Sequence, residues 1–213
     1  MARRGSTLQR KRSEYLHSIP RYFDQAYRDE SELEMLHQIQ LDVPRTYGQT
    51  GDAAASWFQH ERIQLLLERV LYIWALHHPA SGYVQGINDL VTPFISVFLS
   101  EYIDDIAGVN KFSLGTLVTD EQLDAVEADS YWCLTKLLDG IQDHFTFAQP
   151  GIQRMVFKLQ GIIRRVDTQL TSHMQKHGLE FIQFAFRWMN CLLLRELPAA
   201  LSTRLWDTYL AES

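Results

Sequence analysis

The chain has 213 residues, 46% of them hydrophobic and 12% aromatic, which is enough apolar material for a substantial core. Its formal net charge of −6 gives no overall attraction to nucleic acid, so we expect no nucleic-acid partner. No apolar run approaches the roughly 20 residues of a membrane span, and the N-terminus lacks the apolar segment of a secretory signal.

The start of the chain is basic, since five of its first twelve residues are Arg or Lys. We interpret residues 1–12 as a solvated, disordered tail in preference to a phosphate or lipid contact. Residues 13–213 are then predicted to form one domain. Cys133 and Cys191 lie inside apolar helical patterns, which favours reduced, buried thiols in a cytoplasmic protein over a disulfide framework.

Apolar residues recur with a helical period along most of the chain, and no sustained alternation indicates strands, so the predicted fold class is all-α. The first amphipathic helix begins with Ser31 and Glu34 in capping-box spacing and ends before Pro44. Residues 54–77 are predicted to form a longer, mostly buried helix. The next helix contains Pro93, where we expect a kink or a late start.

Residues 104–120 interrupt the helical period and predict a flexible surface loop. Beyond them, an apolar stripe with spacings of four and three runs from Ile152 to Leu170 and favours a bundle core over a coiled coil. Gly178 and Pro198 bracket a further helix, and one more helix follows to the end of the chain.

Two loops at helix ends carry polar side chains that invite a functional interpretation. In the segment IQLDVPRTYG, Pro44 fixes the backbone before Arg45, and Asp42 is close enough in sequence to pair with the guanidinium. In HHPASGYVQGIND, a proline and two glycines shape a turn that projects Tyr83 and Gln85. Phosphoryl transfer needs a cation to neutralise charge on phosphate oxygens and an amide to orient the attacking water.

The sequence supports other chemistries poorly. His173 and His177 have helical i, i+4 spacing but no third ligand is indicated, so we predict no metal site. Cys191 is interpreted as a core thiol in preference to a nucleophile. No P-loop and no strand-linked dinucleotide glycine pattern occurs, so we expect no cofactor of the chain's own. Its activity is therefore expected to act on a partner.

These two loops resemble the motifs of a known family. IQLDVPRT resembles the I-x-x-D-x-x-R motif, and SGYVQGINDL the Y-x-Q motif, of the TBC domain, the Rab GTPase-activating fold; FAFRWMNCLLLRELP and RLWDTYL are similar to its third block. The resemblance covers residues 31–210 and is strongest for the Golgi-associated subgroup. It implies an irregular multi-helix TBC-type domain, which we expect to be shortened at its N- and C-terminal ends.

The resemblance implies a GTPase activator that is not an enzyme by itself. Arg45 matches the arginine finger and Gln85 the glutamine finger, and both would enter the nucleotide site of a GTP-bound Rab. The GTP and Mg²⁺ belong to that Rab. The supporting residues are expected to be Asp42, Tyr83, Asn88, Asp89 and Arg187.

Each supporting residue has an expected contact. Asp42 would brace Arg45, Tyr83 would pack beside the glutamine finger, and Asn88 or Asp89 would partner Arg187 on its largely apolar helix. A scaffold role is favoured over contact with the Rab for Arg187 and for four more residues, Trp188, Arg195, Trp206 and Asp207.

Three hypotheses on function stay open at this point. The first is a Rab GTPase activator that regulates vesicle traffic from the cytoplasm or the periphery of Golgi and vesicle membranes. The second is a module of the same fold that binds a Rab or an adaptor protein without catalysis. The third, a helical hydrolase that works alone, rests only on scattered carboxylates.

Overall fold

The computed structural model describes residues 2–46 and 53–212. Over these residues the chain forms ten α-helices and no β-strand, which confirms the all-α prediction. No helix in this part of the chain is both long and apolar enough to cross a bilayer. The helices are α1 Ala2–Ser18, α2 Glu30–Asp42, α3 Glu61–His77, α4 Ile87–Leu99, α5 Leu114–Leu117, α6 Asp120–Asp139, α7 Pro150–Val166, α8 Thr168–Lys176, α9 Ile182–Asn190 and α10 Ala199–Glu212.

The main core lies around α3, which is buried over most of its surface. Residues 70–75 of this helix are all buried, as its continuous apolar sequence predicts. α2 packs against α3, and α6 packs against α1, α3 and α4. The predicted helix 54–77 is divided into a 3₁₀ segment, Ala53–Gln59, and α3. His60 lies between them, and its ring accepts the Arg62 N–H and caps α3.

A second, smaller apolar cluster joins α7, α8 and α9. Its buried members are Ile152, Val156, Met174, Phe181 and Ala185. The predicted apolar stripe is therefore only partly buried, since Val166 is 78% exposed and Leu170 45% exposed. The start of the stripe faces the cluster, and its end faces solvent.

The prediction of a disordered basic tail is wrong. The chain is helical from Ala2, and several side-chain contacts hold this helix against α6, including the two that follow. The Arg12 guanidinium donates to both carboxylate oxygens of Asp129, and the Lys11 ammonium lies 3.3 Å from the Trp132 ring centroid. Two of the five basic residues therefore bind α6, and their charge helps to order this segment on the domain.

Local polar contacts shape α2 and α4. The capping box of α2 uses Asp29 and Glu32, two residues before the predicted pair, so the helix begins at Glu30. In α4, Pro93 lies inside a helix that already begins at Ile87, so the predicted late start is wrong. The proline cannot donate to the Asp89 carbonyl, which instead accepts the Thr92 hydroxyl at 2.8 Å.

Two further segments differ from prediction. The predicted loop 104–120 contains a 3₁₀ turn and the four-residue α5, and it buries Val109, Leu114 and Val118 in the main core. The helix predicted between Gly178 and Pro198 ends at Asn190. Left-handed φ angles of 48° and 63° at residues 192 and 193 turn the chain there, which carries Cys191 and Leu194 into the core.

Candidate functional site

Arg45 ends a short 3₁₀ turn, Val43–Arg45, that continues directly from α2. Val43 is 1% exposed and Thr46 is fully buried, so the turn is anchored on both sides of the arginine. Arg45 itself is exposed, and its guanidinium has no ion-pair partner within residues 2–46 and 53–212. The turn therefore presents a cation to solvent.

Gln85 lies in the loop between α3 and α4. The chain reverses at Gly82, with φ 60°, and enters α4 at Gly86, with φ 110°, as the glycine pattern predicts. The Gly82 N–H donates to the His78 carbonyl at 2.8 Å and closes the first turn. Gln85 is exposed while its neighbours from Gly86 onward are buried, so the loop projects this one amide.

The two loops are joined by hydrogen bonds on both sides of the presented residues, one of them buried and the other partly buried. The Tyr83 hydroxyl donates to Asp42 Oδ2 at 2.8 Å, and Asn88 Nδ2 donates to Thr46 Oγ1 at 2.9 Å. Thr46 Oγ1 in turn donates to the Asp42 carbonyl at 3.0 Å. Because Asp42, Thr46 and Asn88 are buried, the contacts fix the position of one loop relative to the other.

The predicted contact in which Asp42 braces Arg45 does not form in the structure. Asp42 is only 8% exposed and points to the Tyr83 hydroxyl, whereas Arg45 is exposed. Tyr83 correspondingly binds the base of the arginine turn through its hydroxyl. Asp42 therefore does not pair with Arg45. It helps to position the arginine turn by binding Tyr83, which lies on the neighbouring loop.

Asp89 lies in the first turn of α4 and is 6% exposed. Arg195 Nη2 is 2.6 Å from its Oδ2, and the Cys191 thiol donates to the same oxygen at 3.7 Å. Burial raises the pKa of Asp89, and the Arg195 charge opposes that rise. The chain segment that follows α9 is thereby fixed to the beginning of α4.

The predicted pairing of Arg187 with Asn88 or Asp89 is wrong. Arg187 is exposed and its Nε lies 2.5 Å from Glu196 Oε1. The turn after Asn190 brings Arg195, and not Arg187, to Asp89. The prediction assumed that Arg187 is buried on its largely apolar helix, whereas the residue is exposed.

Burial sets the protonation states of Tyr83 and Cys191 at this site. Burial, followed by the hydrogen bond to Asp42, raises the pKa of Tyr83, so its hydroxyl stays a donor at neutral pH. Burial also raises the pKa of Cys191 to about 11, which keeps it a thiol and makes it a poor nucleophile. In the described ranges no group of three or more His, Cys, Asp or Glu residues is placed to hold a metal ion.

Two residues of this region were missed by the sequence analysis. Thr46 links Asn88 to the end of α2, and Asn190 donates from Nδ2 to the Gln85 carbonyl at 3.5 Å. The position of Thr46 directly after the presented arginine was a usable signal. Nothing in the local pattern around Asn190 points to a loop 105 positions earlier in the sequence.

An all-α fold that presents an arginine and a glutamine on two joined loops has a match among known proteins. The Rab-GTPase-TBC domain family model matches residues 5–213, and the chain belongs to this family. The match includes residues 5–12, which lie in the predicted tail.

Individual relatives extend over nearly the whole chain. Human TBC1 domain family member 22B is 50% identical over 210 residues, and the GTPase-activating protein GYP1 of Saccharomyces cerevisiae is 48% identical over 214. Each alignment covers 99% of this chain, but only 40% of the human protein and 32% of the yeast protein.

The fold has a solved counterpart. The crystal structure of the Ypt/Rab-GAP domain of Gyp1p superimposes with a TM-score of 0.88 at 46% identity. The superposition covers 99% of this chain and 64% of the solved one.

Proposed function

We propose that this chain accelerates GTP hydrolysis by a Rab small GTPase, with Arg45 and Gln85 entering the nucleotide site of that partner. The observation that carries the proposal is the pair of hydrogen bonds, Tyr83 to Asp42 and Asn88 to Thr46, between the loops that present the two residues. Membership of the Rab-GTPase-TBC domain family and a relative named as a GTPase-activating protein support it.

The chemistry assigns a role to each presented side chain. In the partner, water attacks the γ-phosphorus as the bond to the β,γ-bridging oxygen breaks, giving GDP, inorganic phosphate and a proton. The Arg45 guanidinium would neutralise negative charge that develops on the phosphate oxygens, and the Gln85 amide would orient the attacking water. An arginine supplied in trans typically accelerates such hydrolysis by about 10³ to 10⁵, or roughly 4 to 7 kcal/mol of barrier.

In this proposal the chain is not an enzyme by itself. The active site is completed across the interface, and the GTP and Mg²⁺ belong to the GTPase. Both presented residues are exposed on this chain, which suits insertion into a partner better than catalysis in a cleft of its own. A role in vesicle traffic at Golgi membranes stays a prediction that rests on the subgroup resemblance.

Single-turnover hydrolysis by a panel of GTP-loaded Rabs tests the proposal. We expect the wild-type chain to accelerate at least one Rab, and Arg45→Ala and Gln85→Ala each to remove most of that acceleration. Arg4→Ala and Gln38→Ala are matched controls, because both side chains are exposed on helices.

Each alternative result has a defined meaning. Acceleration of no Rab, or full acceleration by both variants, would contradict the proposal. Binding to a GTP-loaded Rab without faster hydrolysis would indicate a binding module of the same fold.

A further inference from the structure

Asn190 is the last residue of α9 and lies behind the loop that presents Gln85. The residue is only 9% exposed, and its Nδ2 lies 3.5 Å from the Gln85 carbonyl oxygen. The contact is to the backbone, so it acts on the path of the loop and leaves the Gln85 side chain free. It is also remote in sequence, since the two residues are 105 positions apart.

The same amide closes the space next to Gly86. A Cβ atom built on Gly86 would lie 2.3 Å from Asn190 Nδ2, so only hydrogen fits at this point. Gly86 has a φ of 110°, which a side chain would also disfavour. The residue after Gln85 is therefore in direct backbone contact with Asn190, and the loop cannot move toward α9.

Asn190 is itself fixed by its neighbours. The Cys191 thiol and the Arg195 guanidinium both contact Asp89 in the first turn of α4. The end of α9 and the segment after it thus contact the junction between the loop and α4 at three points, and the Asn190 contact is the one made to Gln85 itself.

The polar environment of the Asn190 side chain is sparse. Oδ1 is buried and has no hydrogen-bond partner within the described part of the chain. The donor group contacts the Gln85 carbonyl and, at 3.9 Å, the Cys191 sulfur. A buried acceptor without a partner is unfavourable, so the favourable polar contacts of this amide within the described residues are those of its donor.

We propose that Asn190 is a positioning residue for the glutamine finger. Its amide fixes the peptide group between Gln85 and Gly86, and this peptide group sets the direction in which the Gln85 side chain leaves the loop. The proposal rests on the GTPase-activating function proposed above. It adds a residue from the third sequence block to the two loops that present Arg45 and Gln85.

The test is a kinetic comparison of Asn190→Ala and Asn190→Asp with the wild type on a Rab that the wild type accelerates. We expect the maximal hydrolysis rate to fall about 10- to 100-fold, the size of effect that a displacement of about 1 Å produces. The concentration for half-maximal acceleration is expected to stay unchanged, because the Rab-binding surface is not altered. Asn110→Ala, in an exposed turn, is the control.

A double-mutant comparison separates positioning from a general structural effect. If Asn190 acts through the glutamine, Asn190→Ala has no further effect in a Gln85→Ala chain but keeps its full effect in an Arg45→Ala chain. Circular dichroism melting confirms that each variant is folded at the assay temperature. Asn190→Asp, which keeps the side-chain shape and removes the donor, replaces the alanine variant if that one unfolds.

The outcomes distinguish this inference from the proposed function. An active wild type with equally active Asn190 variants would overturn the positioning role alone. An equal loss in the Gln85→Ala and Arg45→Ala chains would also overturn it. A wild type that accelerates no Rab would overturn the GTPase-activating function, and the positioning role with it.

Discussion

The hydroxyl of Tyr83 donates a hydrogen bond of 2.8 Å to Oδ2 of the buried Asp42. This contact joins the loop before α4 to the end of α2, and thereby connects the supports of Gln85 and Arg45. In the proposed function both side chains act on the same transition state, so a fixed position of one loop relative to the other would favour that reaction. The contact also gives a structural role to the Asp42 carboxylate, which lies three residues before Arg45 and does not pair with it.

Replacing Tyr83 with Phe removes only this hydroxyl. Asp42 is 8% exposed and would lose its donor, so we expect the free energy of unfolding to fall by about 1 to 3 kcal/mol. Urea denaturation followed by circular dichroism measures the change. Tyr27→Phe is the matched control, since Tyr27 is 80% exposed, and an equal loss in both variants would contradict the prediction.

The second tie between the loops is suited to a double-mutant cycle. Asn88 Nδ2 donates to Thr46 Oγ1 at 2.9 Å, and both residues are buried. We expect Thr46→Val and Asn88→Ala each to destabilise the fold, with a coupling free energy of about 0.5 to 3 kcal/mol between them. The measurement is the unfolding free energy of the wild type, both single variants and the double variant. Strictly additive effects would show that the hydrogen bond contributes nothing.

Removing the Arg195 charge gives a prediction with a pH dependence. In Arg195→Met the buried Asp89 carboxylate loses its cation, so we expect the unfolding free energy at neutral pH to fall by about 1 to 3 kcal/mol. The folded-state pKa of Asp89 is already raised, and losing Arg195 raises it further. Above that pKa the carboxylate is charged and the full deficit is present.

As the pH falls through the folded-state pKa, Asp89 is protonated and no longer needs a cation, so the deficit of Arg195→Met should shrink. Denaturation curves from neutral to acidic pH check this sign. Arg187→Met is the control, because Arg187 pairs with Glu196 at the surface and we expect a much smaller change there. A deficit that grows on acidification would contradict the assignment of Asp89 as the partner.

Two glycines of the same loop should differ in their tolerance of a methyl group. Gly86→Ala combines a left-handed φ of 110° with a collision against Asn190, whereas a Cβ on Gly82, at φ 60°, meets no atom within 4 Å. We expect Gly82→Ala to cost about 1 kcal/mol and Gly86→Ala clearly more than that. Thermal melting of both variants makes the comparison, and equal midpoints would show that the loop relaxes around the new methyl group.

Several elements could be read from the sequence because their causes are local. Helical periodicity predicted α3 and its burial, and Gly82 and Gly86 predicted the turns that they form. The ordered N-terminal helix could not be predicted in this way. Its stability comes from Asp129 and Trp132 on α6, more than a hundred residues away, and a basic composition alone indicates only solvation.

The sequence by itself determined the helical fold class, the two loops and the residues that they present, because spacing and backbone preference act over a few residues. Only the tertiary structure decided the partner of each polar group. Tyr83 and Asp42 are 41 positions apart, Asn88 and Thr46 are 42, and Asn190 lies 105 positions after Gln85. Periodicity says which face of a helix is buried, but the partner of a buried polar group depends on how whole helices pack.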